Sequence, residues 1–204
     1  FVVKQGKEVI VEATFRGARG QAFTDRPRSF AGTLDEVLAL PLTEPGDRAI
    51  LVATLNAVLR HLGLASGTVH CRNEDPKECG PVLAATLEQQ YGRRRYVLVG
   101  LQPAILAGLA ERFGPDMVRV LDLNPDNIGT RKSSVDVWDG ATRLEEAVAW
   151  GDVVLATGST VVNGSIDGLL ALASRVGKPV VFFGNTISGV AALTGLRRLC
   201  PRSQ

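Results

Sequence analysis

Apolar and polar residues alternate through EVIVEATF, starting at Glu8, and again in the short run from Gln21 to Phe23. Joined by Arg16-Gly17-Ala18-Arg19-Gly20, the two runs predict a β-hairpin, because a period of two turns one face of a strand inward. The rhythm then becomes helical. Thr33 to Leu40 reads as a short helix with Thr33 as N-cap, and Asp47 to Leu62 as a longer one ending at Gly63. A third helix has Asp75 as its cap and Pro76 at the first helical position, and runs to Tyr91, where Gly92 stops it.

Beyond that helix the pattern changes again, to apolar runs of strand length: YVLVG (96–100), VRVLDL (118–123), VDVW (135–138), DVVLATG (152–158) and PVVFFG (179–184). Helical stretches separate most of them. After Thr160, the residues Ile166, Leu169, Leu170, Ala173 and Val176 recur at spacings of three and four, which predicts one helix with an apolar face. Strands alternating with amphipathic helices imply an α/β fold built on a mostly parallel, doubly wound sheet with helices on both faces. The expected division is a small α+β domain at 1–75 and an α/β domain at 76–204.

In such a sheet, ligands bind beyond the carboxyl ends of the strands, near the point where strand order reverses. The polar turns fall there. Thr157-Gly158-Ser159-Thr160, with Asn163 and Gly164, follows one strand, and Gly184-Asn185-Thr186, with Ser188 and Gly189, follows the next. Both place hydroxyls and backbone N–H groups where a helix begins, a natural cradle for phosphate or carboxylate, although Ser and Thr at helix starts also serve simply as caps. Gly100-Leu101-Gln102-Pro103 and Asp122-Leu123-Asn124-Pro125 end two further strands.

Composition narrows the function classes. The 204 residues are 45% hydrophobic and 22% charged, with a formal charge of +2 and only 5% aromatics, which argues against a nucleic-acid surface of basic stripes and stacking platforms. The run Arg93-Arg94-Arg95 reads as a solvated loop. Three cysteines suggest reduced thiols and a cytoplasmic setting. No apolar run reaches the roughly twenty residues of a membrane span.

Specific chemistry is harder to read. An acid at Asp122, about 20 residues after the Gly100 turn, sits where a ribose hydroxyl is often held. The turn itself, GLQPAI, lacks the glycine triad that admits a pyrophosphate, which disfavours NAD and FAD. An adenosyl ligand such as S-adenosylmethionine stays open, as does the simpler role of Asp122 and Asn124 in turning the chain. In VHCRNEDPKECG, the residues His70, Cys71, Glu74, Asp75 and Cys79 crowd together. Imidazole and thiolate suit zinc or a softer transition-metal ion, with His70, Cys71 and Cys79 as the candidate ligands. The segment lacks a CxxC spacing, and structural roles compete with that reading. Asn56, an amide inside ATLNAVL, needs partners if buried, and either bonds a neighbouring loop or faces a cleft. No nucleophile–base set and no phosphate-loop lysine is present.

ATGSTVVNGSIDGLL followed by VVFFGNTISGVAAL resembles the C-terminal signature of the family labelled "putative heavy-metal chelation". That family has a Rossmann-like domain of unknown function preceded by an enolase-N-terminal-like domain, and the hairpin with ATLNAVL looks like the latter. The resemblance implies a cleft between the two parts, with Asn56, Thr157, Gly158, Ser159, Thr160, Asn163 and Gly164 matching the family pattern. The chain departs from it at Gly184-Asn185-Thr186-Ile187. The reading that follows is a small-ligand or metal-complex binding protein, with metal or tetrapyrrole-type cofactor metabolism as the setting. Its binding residues are Asn56, Gln102, Asp122, Asn124, Thr157, Gly158, Ser159, Thr160, Asn163, Gly184, Asn185 and Thr186. Alternatives are an S-adenosylmethionine-dependent transferase and a non-catalytic scaffold or regulatory subunit. The expected partners are the small ligand and a second copy of the chain in a homodimer, without nucleic acid or membrane.

Overall fold

The computed structural model describes residues 4–5, 8–71, 75–201 and 203. Three antiparallel strands open it: β1 (Lys4–Gln5), β2 (Glu8–Phe15) and β3 (Ala18–Thr24). The β2–β3 turn is two residues, Arg16 and Gly17, both left-handed with φ of 46° and 83°, the twist that closes a tight hairpin. Helix α1 (Leu34–Leu38) begins in a full capping box, the Thr33 N–H donating to Glu36 (2.7 Å) and the Glu36 N–H to the Thr33 hydroxyl (3.3 Å).

Helix α2 (Pro45–His61) starts two residues before the expected Asp47, with Pro45 in its first turn. It rides on the hairpin through Ala49, Ala53 and Ala57, all fully buried. A Cβ on Gly20 of β3 would overlap the backbone of Ala53 and Ala57. Helix and strand therefore meet backbone to backbone, which only glycine beneath alanine permits. The same device joins α3 (Asp75–Tyr91) to α4 (Pro103–Phe113): a Cβ on Gly80 would overlap the Ala104 carbonyl, and one on Gly108 the Gly80 carbonyl. Helix α3 starts on Asp75, where the sequence pattern puts its cap.

The second sheet carries β4 (Tyr96–Val99), β5 (Val118–Asp122), β7 (Val135–Asp139), β8 (Val153–Thr157) and β9 (Val180–Phe183), all parallel, with β6 (Arg131–Lys132) antiparallel at the edge. The order is β6-β7-β5-β4-β8-β9. Alternate residues of each strand enter two cores. Tyr96, Leu98, Val120 and Leu155 pack under α3 and α4. On the other face Val97, Leu121, Val154 and Phe182 pack under α5 (Gly140–Trp150), α7 (Ile166–Arg175) and α8 (Ser188–Thr194). This is the α/β architecture with helices on both faces that the strand–helix alternation predicts.

The helix expected after Thr160 is in fact two, α6 (Thr160–Asn163) and α7, broken at Gly164 with φ 81°. Val176, expected on the apolar face, is the exposed C-cap of α7. Residues 197–199 run along the outer edge of β9, the Phe182 N–H donating to Arg197 O and the Leu199 N–H to Phe182 O, each at 2.8 Å. No helix among the described residues is long and apolar enough to cross a membrane.

Asp152, just before β8, is held by Arg95: the Arg95 N–H donates to Oδ2 (3.0 Å), Nε to Oδ2 (3.2 Å) and Nη2 to Oδ1 (3.0 Å). These hydrogen bonds to the Arg95 side chain and backbone hold its carboxyl down from 3.8 to about 2. A depressed carboxyl stabilises the fold fully above its unfolded value and loses that contribution as pH falls through the folded one.

Two outcomes follow. Gly80→Ala should destabilise the chain by about 2–3 kcal/mol in equilibrium urea unfolding, and a loss below about 0.5 kcal/mol would mean the α3–α4 contact relaxes freely. Asp152→Asn should lower stability at neutral pH, with the gap to the parent chain closing as pH falls from about 4 to about 2.

Candidate functional site

Strand order reverses between β4 and β8: from β4 the chain builds outward through β5 to β7, then returns to the other side of β4 with β8 and β9. Such a switch point leaves a crevice above the carboxyl ends of the two central strands, because the connections on either side diverge to opposite faces. Gly100 after β4 has φ 88°, and a Cβ there would overlap Cγ2 of Thr157 at the end of β8. The two loops thus touch, and the turn that glycine allows sets how closely they meet.

The groups around this crevice divide by hydrogen-bonding role. Gln102 caps α4, its Oε1 accepting from the Ile105 N–H at 2.6 Å. Asp122 accepts on Oδ2 from the Leu101 N–H (3.0 Å) and Asn127 Nδ2 (3.2 Å), and on Oδ1 from the Asn124 N–H (2.7 Å). Asn124 Oδ1 accepts from the Asp126 N–H at 3.1 Å. Asn163 Oδ1 accepts from the Ser165 N–H (3.0 Å) and hydroxyl (2.7 Å) ahead of α7. The acceptors are therefore committed to building loops, and Asp122 pins the β4 and β5 loops together.

The donors are less committed. The Thr157 hydroxyl is half-buried and makes only a 3.4 Å contact with the Ser159 hydroxyl and another with the Ser159 N–H. Ser159 makes no side-chain cap for α6. Thr160 is spent, its hydroxyl donating to Thr157 O at 2.9 Å. Gly158 is held against Ile187, whose N a Cβ would approach to 2.8 Å. The amide –NH2 groups of Gln102 and Asn124 have no partner among the described residues.

Gly158, Ser159 and Thr160 of the first turn are buried, and the second turn is tied more firmly into the layer above it. Asn185 and Thr186 are each 1% exposed, buried beneath the hairpin and α2. The Phe23 N–H donates to the Thr186 hydroxyl at 3.1 Å, and Ser188 donates to Gly67 O and Asn185 O, both at 2.7 Å. Asn56, fully buried on α2, joins the layers: Nδ2 donates to Gln21 O (2.9 Å), Thr186 O (2.9 Å) and Asn185 O (3.3 Å), while Oδ1 accepts from the Gly189 N–H (2.7 Å). Where the sequence reading expects a cleft, the structure has a closed polar seam at the β9 end. The Gly184 turn lies within it, its carbonyl accepting from Arg198 Nε at 2.8 Å. Asn185 is less well served: its Nδ2 contacts are 3.4 and 3.5 Å, and its buried Oδ1 has no donor among the described residues.

The Cys71 Sγ lies 3.9 Å from His70 Nδ1, but Cys79 does not complete a three-ligand group with them among the described residues. His70 Nδ1 lies 2.7 Å from Cys71 O, its ring stands edge-on to Phe23 at 5.3 Å, and its N–H donates to Gln21 Oε1 at 2.7 Å. Cys71 is half-buried and Cys79 is buried in α3. Glu74 lies outside the described residues, and among those described no three His, Cys, Asp or Glu side chains group to hold a metal. Two arginines carry structural weight that the sequence pattern did not single out. Arg48 donates to Val162 O (2.6 Å) and Leu42 O (2.7 Å), and Arg198 to Gly184 O and Gly67 O (2.8 Å each). Both bind backbone carbonyls far away in sequence, so no local signal marks them.

Residues 83–197 match the family described as "Putative heavy-metal chelation", and the chain belongs to that family. A member of unknown function from Pyrococcus horikoshii shares 19% identity over 91% of this chain and 72% of its own, with a TM-score of 0.57. A second, from Desulfitobacterium hafniense, shares 14% identity over 96% and 75%, with a TM-score of 0.58. At these identities the likeness establishes the fold. No curated protein matches the chain.

Asn56→Leu removes the amide that serves the Gln21 and Thr186 carbonyls and the Gly189 N–H, and should cost about 3 kcal/mol or more in urea unfolding. A loss below about 1 kcal/mol would show that the seam repairs itself with water.

Proposed function

We propose that the chain binds a small, acceptor-rich polar ligand in the crevice between β4 and β8, the ligand being a metal chelate in keeping with the family's description. The observation that carries this reading is the switch point itself, where Gly100 and Thr157 meet at the one reversal of strand order. Around it the uncommitted groups are donors: the hydroxyls of Thr157 and Ser159 and the amides of Gln102 and Asn124. Donors call for carboxylate- or phosphate-type oxygens, which chelators of metal ions present. In this reading the protein holds the chelate through the ligand's oxygens, and the metal is cargo. The Asp122 oxygens, engaged by three protein donors, organise the loops in this reading rather than hold a ribose.

The test is native mass spectrometry of the chain purified without chelator, followed by titration with citrate alone and with its nickel complex. Expected is saturable binding that Thr157→Val and Ser159→Ala each weaken about tenfold, the value of one hydrogen bond to a charged group. At a hundredfold excess over its dissociation constant a ligand should add about 2.7 kcal/mol of stability. No retained mass, together with no shift in melting temperature from either probe, would overturn the reading.

A further inference from the structure

The opposite edge of the parallel sheet, where its strands begin, holds a hollow of about 390 Å³, within the size range of small-ligand sites. It lies where α3 ends and where the chain enters β4, β8 and β9. Its walls include Tyr91, Arg94, Asp152, Val153, Lys178 and Pro179. None of these residues takes part in the crevice between β4 and β8.

Hydrogen-bonding supply exceeds demand here. The only carboxylate, Asp152, is taken up by three bonds from Arg95. Lys178 Nζ forms a loose ion pair with Asp152 Oδ1 at 4.0 Å, with no hydrogen bond between them, and three-quarters of its side chain is covered. Arg94 spends Nε on the Tyr91 carbonyl at 3.1 Å and has no acceptor for either terminal nitrogen among the described residues. A third cation, Arg197, stands 5.3 Å over the Tyr91 ring. Arg93, by contrast, is used up, donating to the Arg112 and Phe113 carbonyls at 3.2 and 3.1 Å. Beside these donors, Pro179 and the Tyr91 ring give the hollow an apolar side.

We propose that this hollow is a second binding site, for a small organic anion whose oxyanion lies between Arg94 and Lys178 and whose apolar body lies on Tyr91 and Pro179. Guanidinium and ammonium together supply the charge-assisted donors that an oxyanion takes up. The apolar side distinguishes an organic anion from a bare inorganic one, which would gain nothing from it.

Calorimetric titration of the full chain with benzoate and with inorganic phosphate, at constant ionic strength, tests this. Expected is saturable benzoate binding with a dissociation constant of about 1 mM or below. Lys178→Gln and Arg94→Gln should each weaken it about tenfold with the melting temperature unchanged, Lys178→Arg should retain it, and Thr157→Val should leave it untouched. Absence of saturable heat, or undiminished binding by the Lys178 and Arg94 variants, overturns the site. Phosphate binding more tightly than benzoate overturns the organic-anion assignment, and loss of benzoate binding in Thr157→Val places the heat at the other end of the sheet.

Discussion

Burying polar backbone between two layers is the constraint on which the arrangement turns. Where the hairpin and α2 cover the end of β9, several carbonyls and an amide N–H leave water together, and each would cost on the order of 1–3 kcal/mol unpaired. Asn56 answers that demand with one side chain, donating to three carbonyls and accepting from the Gly189 N–H. Aspartate could not donate, and leucine could neither donate nor accept.

The two edges of a parallel sheet differ for a reason built into the topology. Every crossover helix starts near the carboxyl edge and ends near the other, so one edge collects helix N–H groups and the other collects helix carbonyls. The chain meets the first with acceptors, such as Gln102 Oε1 and the Asp139 carboxylate that receives the Ala141 N–H. It meets the second with cations, Arg93 on the end of α4 and Arg94 on the end of α3. What each edge has left over after its helices are capped is what a ligand encounters: hydroxyl and amide donors at one, charged donors at the other.

The elements were legible because their signals are local. The apolar runs became β4, β5, β7, β8 and β9, and Thr33 marks a helix start, while α2 begins at Pro45, two residues ahead of the expected Asp47. Strand order was not legible, since nothing in VVLAT or YVLV says which lies beside which. Nor could sequence tell how far the twin polar turns are covered: TGST and GNTI look alike, and in each only the first residue, Thr157 or Gly184, stays partly exposed. The break at Gly164 was missed because the apolar spacing continues across it, while the left-handed glycine overrides that periodicity. Proximity in sequence likewise grouped His70, Cys71 and Cys79: the Cys71 Sγ does lie 3.9 Å from His70 Nδ1, but Cys79 is buried in α3 and no group of three such ligands forms among the described residues.

The strip at 197–199 has a role apart from any ligand. β9 is the outermost parallel strand on its side, and its sequence, VVFF, is the sort of flat apolar border along which unrelated chains can zip together. By occupying the hydrogen-bonding groups of Phe182 on that border, the strip acts as a selvedge, sealing the sheet against sticking to its neighbours.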